Sequence, residues 1–200
     1  MSAAEVEAMS TTTRLITADE LLAMPPRDEH GNYCVLELIR GELKRISPTG
    51  ITHGAICIEL GAILRGFVKS SGLGLVVGGE IGFVVERNPD SVIAADVAFI
   101  SRERLATVEN REKFGPSAPD LAVEILSPGN KPKEINEKIA LYFAAGSRAV
   151  WVINARRRTA AVYSSPSEFC TLSEQDTLDG GDVLPGFELK LSELFAAVEE

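Results

Sequence analysis

The run PDLAVEILSP, residues 119–128, constrains this chain most. It reads as a buried strand, yet it carries Asp120 and Glu124 within an apolar stretch. A charge in a core is costly unless something pairs with it. Strand side chains alternate between faces. Asp120, Ala122, Glu124 and Leu126 therefore share one face, and Leu121, Val123 and Ile125 the other. Whatever fold the chain adopts must bring a counter-charge, a proton or a cation to the first face.

The remaining elements are read around this strand. The segment 17–24 opens a short helix, with Thr17 and Glu20 at capping-box spacing and a stop at Pro25-Pro26. Residues 33–47 form a hairpin turning near Arg40-Gly41, flanked by Glu37 and Glu42. Residues 52–72 form an amphipathic helix, in which Ile56, Leu60, Ile63, Leu64, Phe67 and Val68 recur at helical spacing and Gly72 ends the run. His53 sits in its first turn. Residues 73–86 read as two short strands around Gly78-Gly79, and 91–101 as another strand. After a polar connector and the 119–126 strand, Asn130 is the expected N-cap and Pro132 the first turn of a helix closed by Gly146. A late hairpin over 148–165, one further strand and a short terminal helix complete the chain. This order suggests an α/β or α+β domain over 15–200 with a mixed sheet, preceded by a mobile tail over 1–14.

Composition narrows the function classes. Two hundred residues make about one domain, and 45% apolar with 24% charged residues is ordinary for a globular chain. No run approaches the roughly 20 apolar residues of a membrane span, and the start lacks a secretory pattern. No membrane association is expected. Cys34, Cys57 and Cys170 are far apart, as expected of reduced thiols in a cytoplasmic protein. With only His30 and His53 as imidazoles, a structural zinc site is not expected. The net charge of −9 speaks against a broad nucleic-acid-coating surface, so any DNA contact needs local basic patches or bound cations.

On the strand 93–100, alternation puts Ala94, Asp96, Ala98 and Ile100 on one face. Asp96 and Glu124 thus each stand mid-strand among small neighbours that leave a niche. Were the two strands paired, the carboxylates would lie side by side and repel unless a proton or cation intervened. Lys138 falls on the edge of the apolar stripe Ile135, Ile139, Tyr142 and Phe143, and so points from a packing face toward those carboxylates. Asp, Glu and Lys converging on one sheet face suit metal-assisted phosphodiester hydrolysis, with carboxylates as the hard ligands that Mg²⁺ or Mn²⁺ prefers. A buried ion-pair network is the competing reading of the same three residues.

In this order, GELKRISP, the histidine opening the long helix, ADVAFI, PDLAVEILSP, EKIALYFAAGSRAVWVIN and LPGFELKLSELF resemble the Uma-two family of restriction endonucleases, within the PD-(D/E)XK nuclease superfamily. The resemblance spans about residues 17–196. It implies a restriction-endonuclease-like core, a mixed sheet flanked by helices with extra hairpins, a Mg²⁺-dependent (or Mn²⁺-dependent) site acting on DNA, and homodimers as a compatible state. It assigns Asp96 and Glu124 as catalytic and metal-binding. Where the wider superfamily has a lysine two residues after the glutamate, this chain has Leu126, and the family pattern places the lysine at Lys138. Ala95 replaces the family's usual proline before Asp96.

Three further residues carry two readings each. Asp120 is a supporting ligand, or a strand-start carboxylate bonding backbone near Pro119. Glu42 approaches the metal from the side, or is a solvated hairpin carboxylate. His53 binds phosphate or positions water, or is a satisfied core-edge histidine. Arg156, Arg157 and Arg158 form a basic turn that contacts a phosphate backbone or is simply solvated. Two functions follow: a Mg²⁺-dependent DNA endonuclease, or a noncatalytic binding or regulatory protein on a degenerate nuclease scaffold.

Overall fold

The computed structural model describes residues 14–27, 30–196 and 198. The tail expected over 1–14 lies outside them, but for Arg14. The elements, in order, are α1 (Ala18–Ala23), β1 (Val35–Ile39), β2 (Glu42–Ile46), α2 (Ile51–Ser71), β3 (Gly74–Glu86), β4 (Ser91–Ser101) and α3 (Arg102–Leu105). There follow β5 (Leu121–Ile125), α4 (Pro132–Ala144), β6 (Ala149–Asn154), β7 (Thr159–Ser165), β8 (Glu168–Ser173), β9 (Thr177–Asp179), β10 (Glu188–Lys190) and α5 (Leu191–Ala196).

An eight-stranded sheet runs β2-β1-β4-β5-β6-β7-β8, with β3 pairing along β4. Only the β5–β6 pair is parallel among its described ladders, so the sheet is mixed and flanked by helices, as expected of an α/β fold. The parallel pair needs a crossover connection, and α4 supplies it. A small β9–β10 ribbon stands apart.

Two apolar layers sandwich the sheet. On one side Ile56, Leu60, Leu64 and Val68 of α2 pack with Val97, Phe99, Leu121, Val123 and Ile125, together with the chain's C-terminal segment. On the other, Ile135, Ile139 and Tyr142 of α4 pack with Ala98, Ala122, Val150 and Val152. Helix α2 is long and apolar enough to cross a membrane by length and composition, contrary to the sequence expectation. Its buried stripe nevertheless belongs to this core, and it carries Glu59, Arg65 and Lys69. Gly72 closes it in the left-handed conformation at φ 63°.

Three local expectations are corrected. Residues 74–86 form one strand, not two. The Gly-Gly pair makes a bulge in which Gly79 and Glu80 oppose the single residue Asp96, with the ladder resuming at Ile81 and Ala95. Gly79 takes φ 82° there, which glycine tolerates and other residues resist. The N-cap of α4 is Lys131 rather than Asn130, whose side chain instead accepts the Ser127 N–H at 2.6 Å. Finally, alternation slips in β4. Ile93 and Ala95 share a layer with Ala98 and Ile100, while Val97 and Phe99 lie in the opposite one. A slip at the residue facing the bulge takes Asp96 off the face assigned to it by simple alternation.

Candidate active site

Strand β4 has β3 along one edge. Its other edge is divided, with β1 meeting it at Val92 and β5 meeting it from Val97 to Phe99. Between them, among the described residues, the backbone of 93–96 has no strand partner on that edge. Buried backbone groups must be satisfied somehow, and here side chains do it. Glu37 Oε1 accepts the Ala94 N–H at 2.9 Å, and Lys138 Nζ donates to the Ala94 carbonyl at 2.9 Å. On the facing strand, the Ile125 N–H donates to Asp96 Oδ2 at 2.6 Å. The fork in the sheet is therefore built from charged residues.

Lys138 is the hub. Besides Ala94, its ammonium lies 2.8 Å from Glu124 Oε2 and 3.1 Å from Glu37 Oε1. Helix α4 aims it inward because Ile135, Ile139 and Tyr142 of the same face are packed on the sheet. One turn on, the Tyr142 hydroxyl donates to Glu124 Oε1 at 2.7 Å. Both Glu124 oxygens thus have a donor, although the residue is only 5% exposed. Burial pushes the Glu124 carboxyl above its ordinary value, Lys138 opposes that, and the negative Asp96 and Glu37 add to it. Burial works against the charged Lys138, but Glu124 and Glu37 outweigh it and hold the amine above its usual value. Burial, then the Glu124 charge, raises the Tyr142 phenol.

Asp96 faces the other way, toward α2. His53 Nε2 lies 3.2 Å from Asp96 Oδ2, and His53 Nδ1 lies 3.4 Å from the Cys57 sulfur. The hydrogen bond to Asp96 raises the His53 pKa to about 10, with Cys57 contributing and burial opposing. The imidazole is therefore cationic at neutral pH. Asp96 and Glu124 consequently stand as electrostatic neighbours at the fork, each anchored to a different helix, rather than as two carboxylates on one continuous face.

All of these groups line one open cavity of about 840 Å³. Lys44, Arg45 and Arg65 line it too, and Glu80, Glu134 and Glu137 line it as well, so the rim carries both signs of charge. Its inner wall holds three carboxylates, Glu37, Asp96 and Glu124, against the Lys138 ammonium and the His53 imidazolium. These three carboxyl groups are hard oxygen donors that fit a divalent cation such as Mg²⁺, whose charge would favour the ionised form of Glu124, a carboxyl that burial raises to about 7. Asp96 makes both of its contacts through Oδ2, so among the described residues its Oδ1 remains for another ligand.

The structure brings together Asp96, Glu124, Lys138 and His53. It does not bring in Asp120 or Glu42. Asp120 Oδ2 accepts the Ser101 N–H at 2.7 Å and lies 3.3 Å from Arg104 Nε, toward the opposite end of β5. Glu42 is exposed at the hairpin turn and does not line the cavity. Glu37 joins Lys138 at the fork and Cys57 lies against His53, and the sequence reading placed neither in the site. Tyr142, read there as packing, also bonds Glu124.

The family model Uma2, described as "Putative restriction endonuclease", matches residues 18–192. Among solved structures, the chain is similar to a putative nuclease belonging to DUF820 from Anabaena variabilis, at 22% identity and a TM-score of 0.76. That match covers 92% of this chain and 99% of the other, and at this identity the likeness is one of fold. No curated protein matches.

Proposed function

Because the chain belongs to the Uma2 family, we propose that it is a Mg²⁺- or Mn²⁺-dependent endonuclease that hydrolyses phosphodiester bonds in DNA. The observation that carries this reading is the meeting of Asp96, Glu124 and Lys138 at the sheet fork, with Lys138 Nζ 2.8 Å from Glu124. Asp96 and Glu124 would hold the cation, which when bound supplies charge to polarise the phosphate and to acidify water. Lys138, fixed by Glu124, Glu37 and the Ala94 carbonyl, orients the attacking water and offsets charge developing on the phosphate oxygens. His53 pins the Asp96 carboxylate and presents a positive charge at the cavity wall. Lys44, Arg45 and Arg65 receive the flanking phosphates.

A second reading, a noncatalytic binding or regulatory protein on the same scaffold, is favoured by one observation. The net charge of −9 opposes strong phosphate affinity. Plasmid nicking with Mg²⁺ or Mn²⁺ separates the two. The nuclease reading expects metal-dependent nicking that falls by about 100-fold or more in Asp96→Ala. Metal binding without any cleavage, in a folded wild-type protein, supports the second reading instead.

A further inference from the structure

Cys57 has no part in the chemistry above, yet it lies against it. It follows His53 by four residues on α2, so both side chains leave the same helix face. Its sulfur is 3.4 Å from one ring nitrogen of His53, and the other ring nitrogen is 3.2 Å from Asp96 Oδ2. One donor atom from each of the three residues can be chosen so that all lie within 4.8 Å of one another. The positions are sheltered: the side chains of His53 and Asp96 are 10% and 24% exposed, and Cys57 is half-buried. All three line the same cavity.

A thiol, an imidazole and a carboxylate are a different donor set from the carboxylates of the hard-cation site. Mg²⁺ has little use for sulfur, whereas Zn²⁺ binds thiolate at about 2.3 Å and imidazole or carboxylate at about 2.0–2.2 Å. Tetrahedral angles at those lengths set the donors roughly 3.3–3.7 Å apart; one ion takes only one of the two ring nitrogens, and the three donors, now within 4.8 Å of one another, would close by about 1 Å around it. Binding releases two protons to solvent, one from the His53 imidazolium, which frees a ring nitrogen, and one from the Cys57 thiol. Three protein ligands would leave a fourth position for water, as in catalytic rather than structural zinc sites.

We propose that His53, Cys57 and Asp96 form a soft-metal site for Zn²⁺ or a similar transition ion. The site shares Asp96 with the hard-cation site, so an ion held here withdraws that carboxylate and switches off the chemistry at the fork. Zinc binding stands on the geometry of the three residues alone; the switching rests on the nuclease reading.

The test uses Co²⁺ as a spectroscopic probe and Zn²⁺ as competitor, with the full-length wild type, Cys57→Ser and, as a thiol control, Cys170→Ser. Wild type and Cys170→Ser are expected to show a thiolate-to-cobalt charge-transfer band that Zn²⁺ abolishes. Cys57→Ser, folded by circular dichroism, loses the band and binds Zn²⁺ about tenfold more weakly or worse. No band in wild type, or unchanged Zn²⁺ affinity in Cys57→Ser, overturns the site. Where Mg²⁺-dependent cleavage is measured, Zn²⁺ inhibits wild type and inhibits Cys57→Ser far less; equal inhibition overturns the switch. A Cys57-dependent band in a protein that cleaves nothing leaves the metal site standing and removes the nuclease reading only.

Discussion

Glu37 Oε1 lies 3.1 Å from Lys138 Nζ while accepting the Ala94 N–H at 2.9 Å, so one carboxylate oxygen ties the hairpin, the central strand and the second long helix together. At 5% exposure it does so out of water. Glu37→Ala should destabilise the fold by about 3 kcal/mol, because it strips a partner from a buried lysine and leaves an amide unpaired. Glu37→Gln keeps an acceptor for Ala94 and should cost less. Urea denaturation measures both, and a loss under about 0.5 kcal/mol for the alanine variant would contradict the placement of Glu37.

Tyr142 is fully buried and its hydroxyl donates a hydrogen bond to Glu124. Tyr142→Phe should cost about 1–2 kcal/mol by orphaning one carboxylate oxygen. A double-mutant cycle with Glu124→Gln should return a coupling of at least about 0.5 kcal/mol. Additive effects would mean that the bond carries no energy.

Asp90 anchors α1 away from the site. Its Oδ2 accepts the Ala18 N–H at 2.8 Å and the Arg87 guanidinium at 2.9 Å. The bond from Ala18, then those from Asn88 and Arg87, hold its pKa below the ordinary 3.8, against a smaller opposing effect of burial. A depressed carboxylate stabilises the fold at pH above its unfolded value, and that contribution fades as pH falls through the folded one. Asp90→Asn should therefore cost about 1–2 kcal/mol at pH 7, and the gap to wild type should narrow at pH values below 3.8. Thermal unfolding across pH reads this directly, and a gap constant with pH would contradict it.

A second cavity, of about 750 Å³, shares Asn130 and Ile135 with the first and is lined by Arg156 and Arg157. Arg158, the third residue of the basic turn, is instead paired with Glu174. If the substrate is DNA, the exposed pair extends the phosphate track beyond the fork. Arg156→Glu with Arg157→Glu should weaken DNA binding and reduce the dependence of log affinity on log salt by about 2. Fluorescence anisotropy over a salt series checks it, and an unchanged slope would remove these residues from the contact.

Much of this architecture is legible in the sequence. The stripe on α2, the strand pattern of 119–126 and the position of Lys138 at the margin of an apolar face all follow from periodicity. Glu37 does not, and the reason is physical. Glu37 and Glu42 flank the same turn, and the choice between them depends on which arm of the hairpin joins β4. The ladder makes β1 the inner strand and β2 the edge, and a hairpin's sequence carries little trace of which side its neighbour will take. The bulge is hidden for a related reason. Gly78-Gly79 suits a turn and a bulge equally, so the slip that redirects Asp96 toward α2 appears only once β3 and β4 are paired. Leu126, by contrast, was informative, since the absence of a lysine there directs attention to α4.

The fork in the sheet has a further consequence. Glu37 and Lys138 fill hydrogen-bonding positions that a continuous strand would otherwise occupy, so the fold draws stability from them whatever the cavity does. If the chain is a nuclease, selection for a stable fold and selection for hydrolysis act on the same bonds. A chain on this scaffold that did not cleave would still be held to these two residues by its own stability, while the rim arginines would be free to drift. The history of such a chain would be written first at its periphery, and only last at its charged centre.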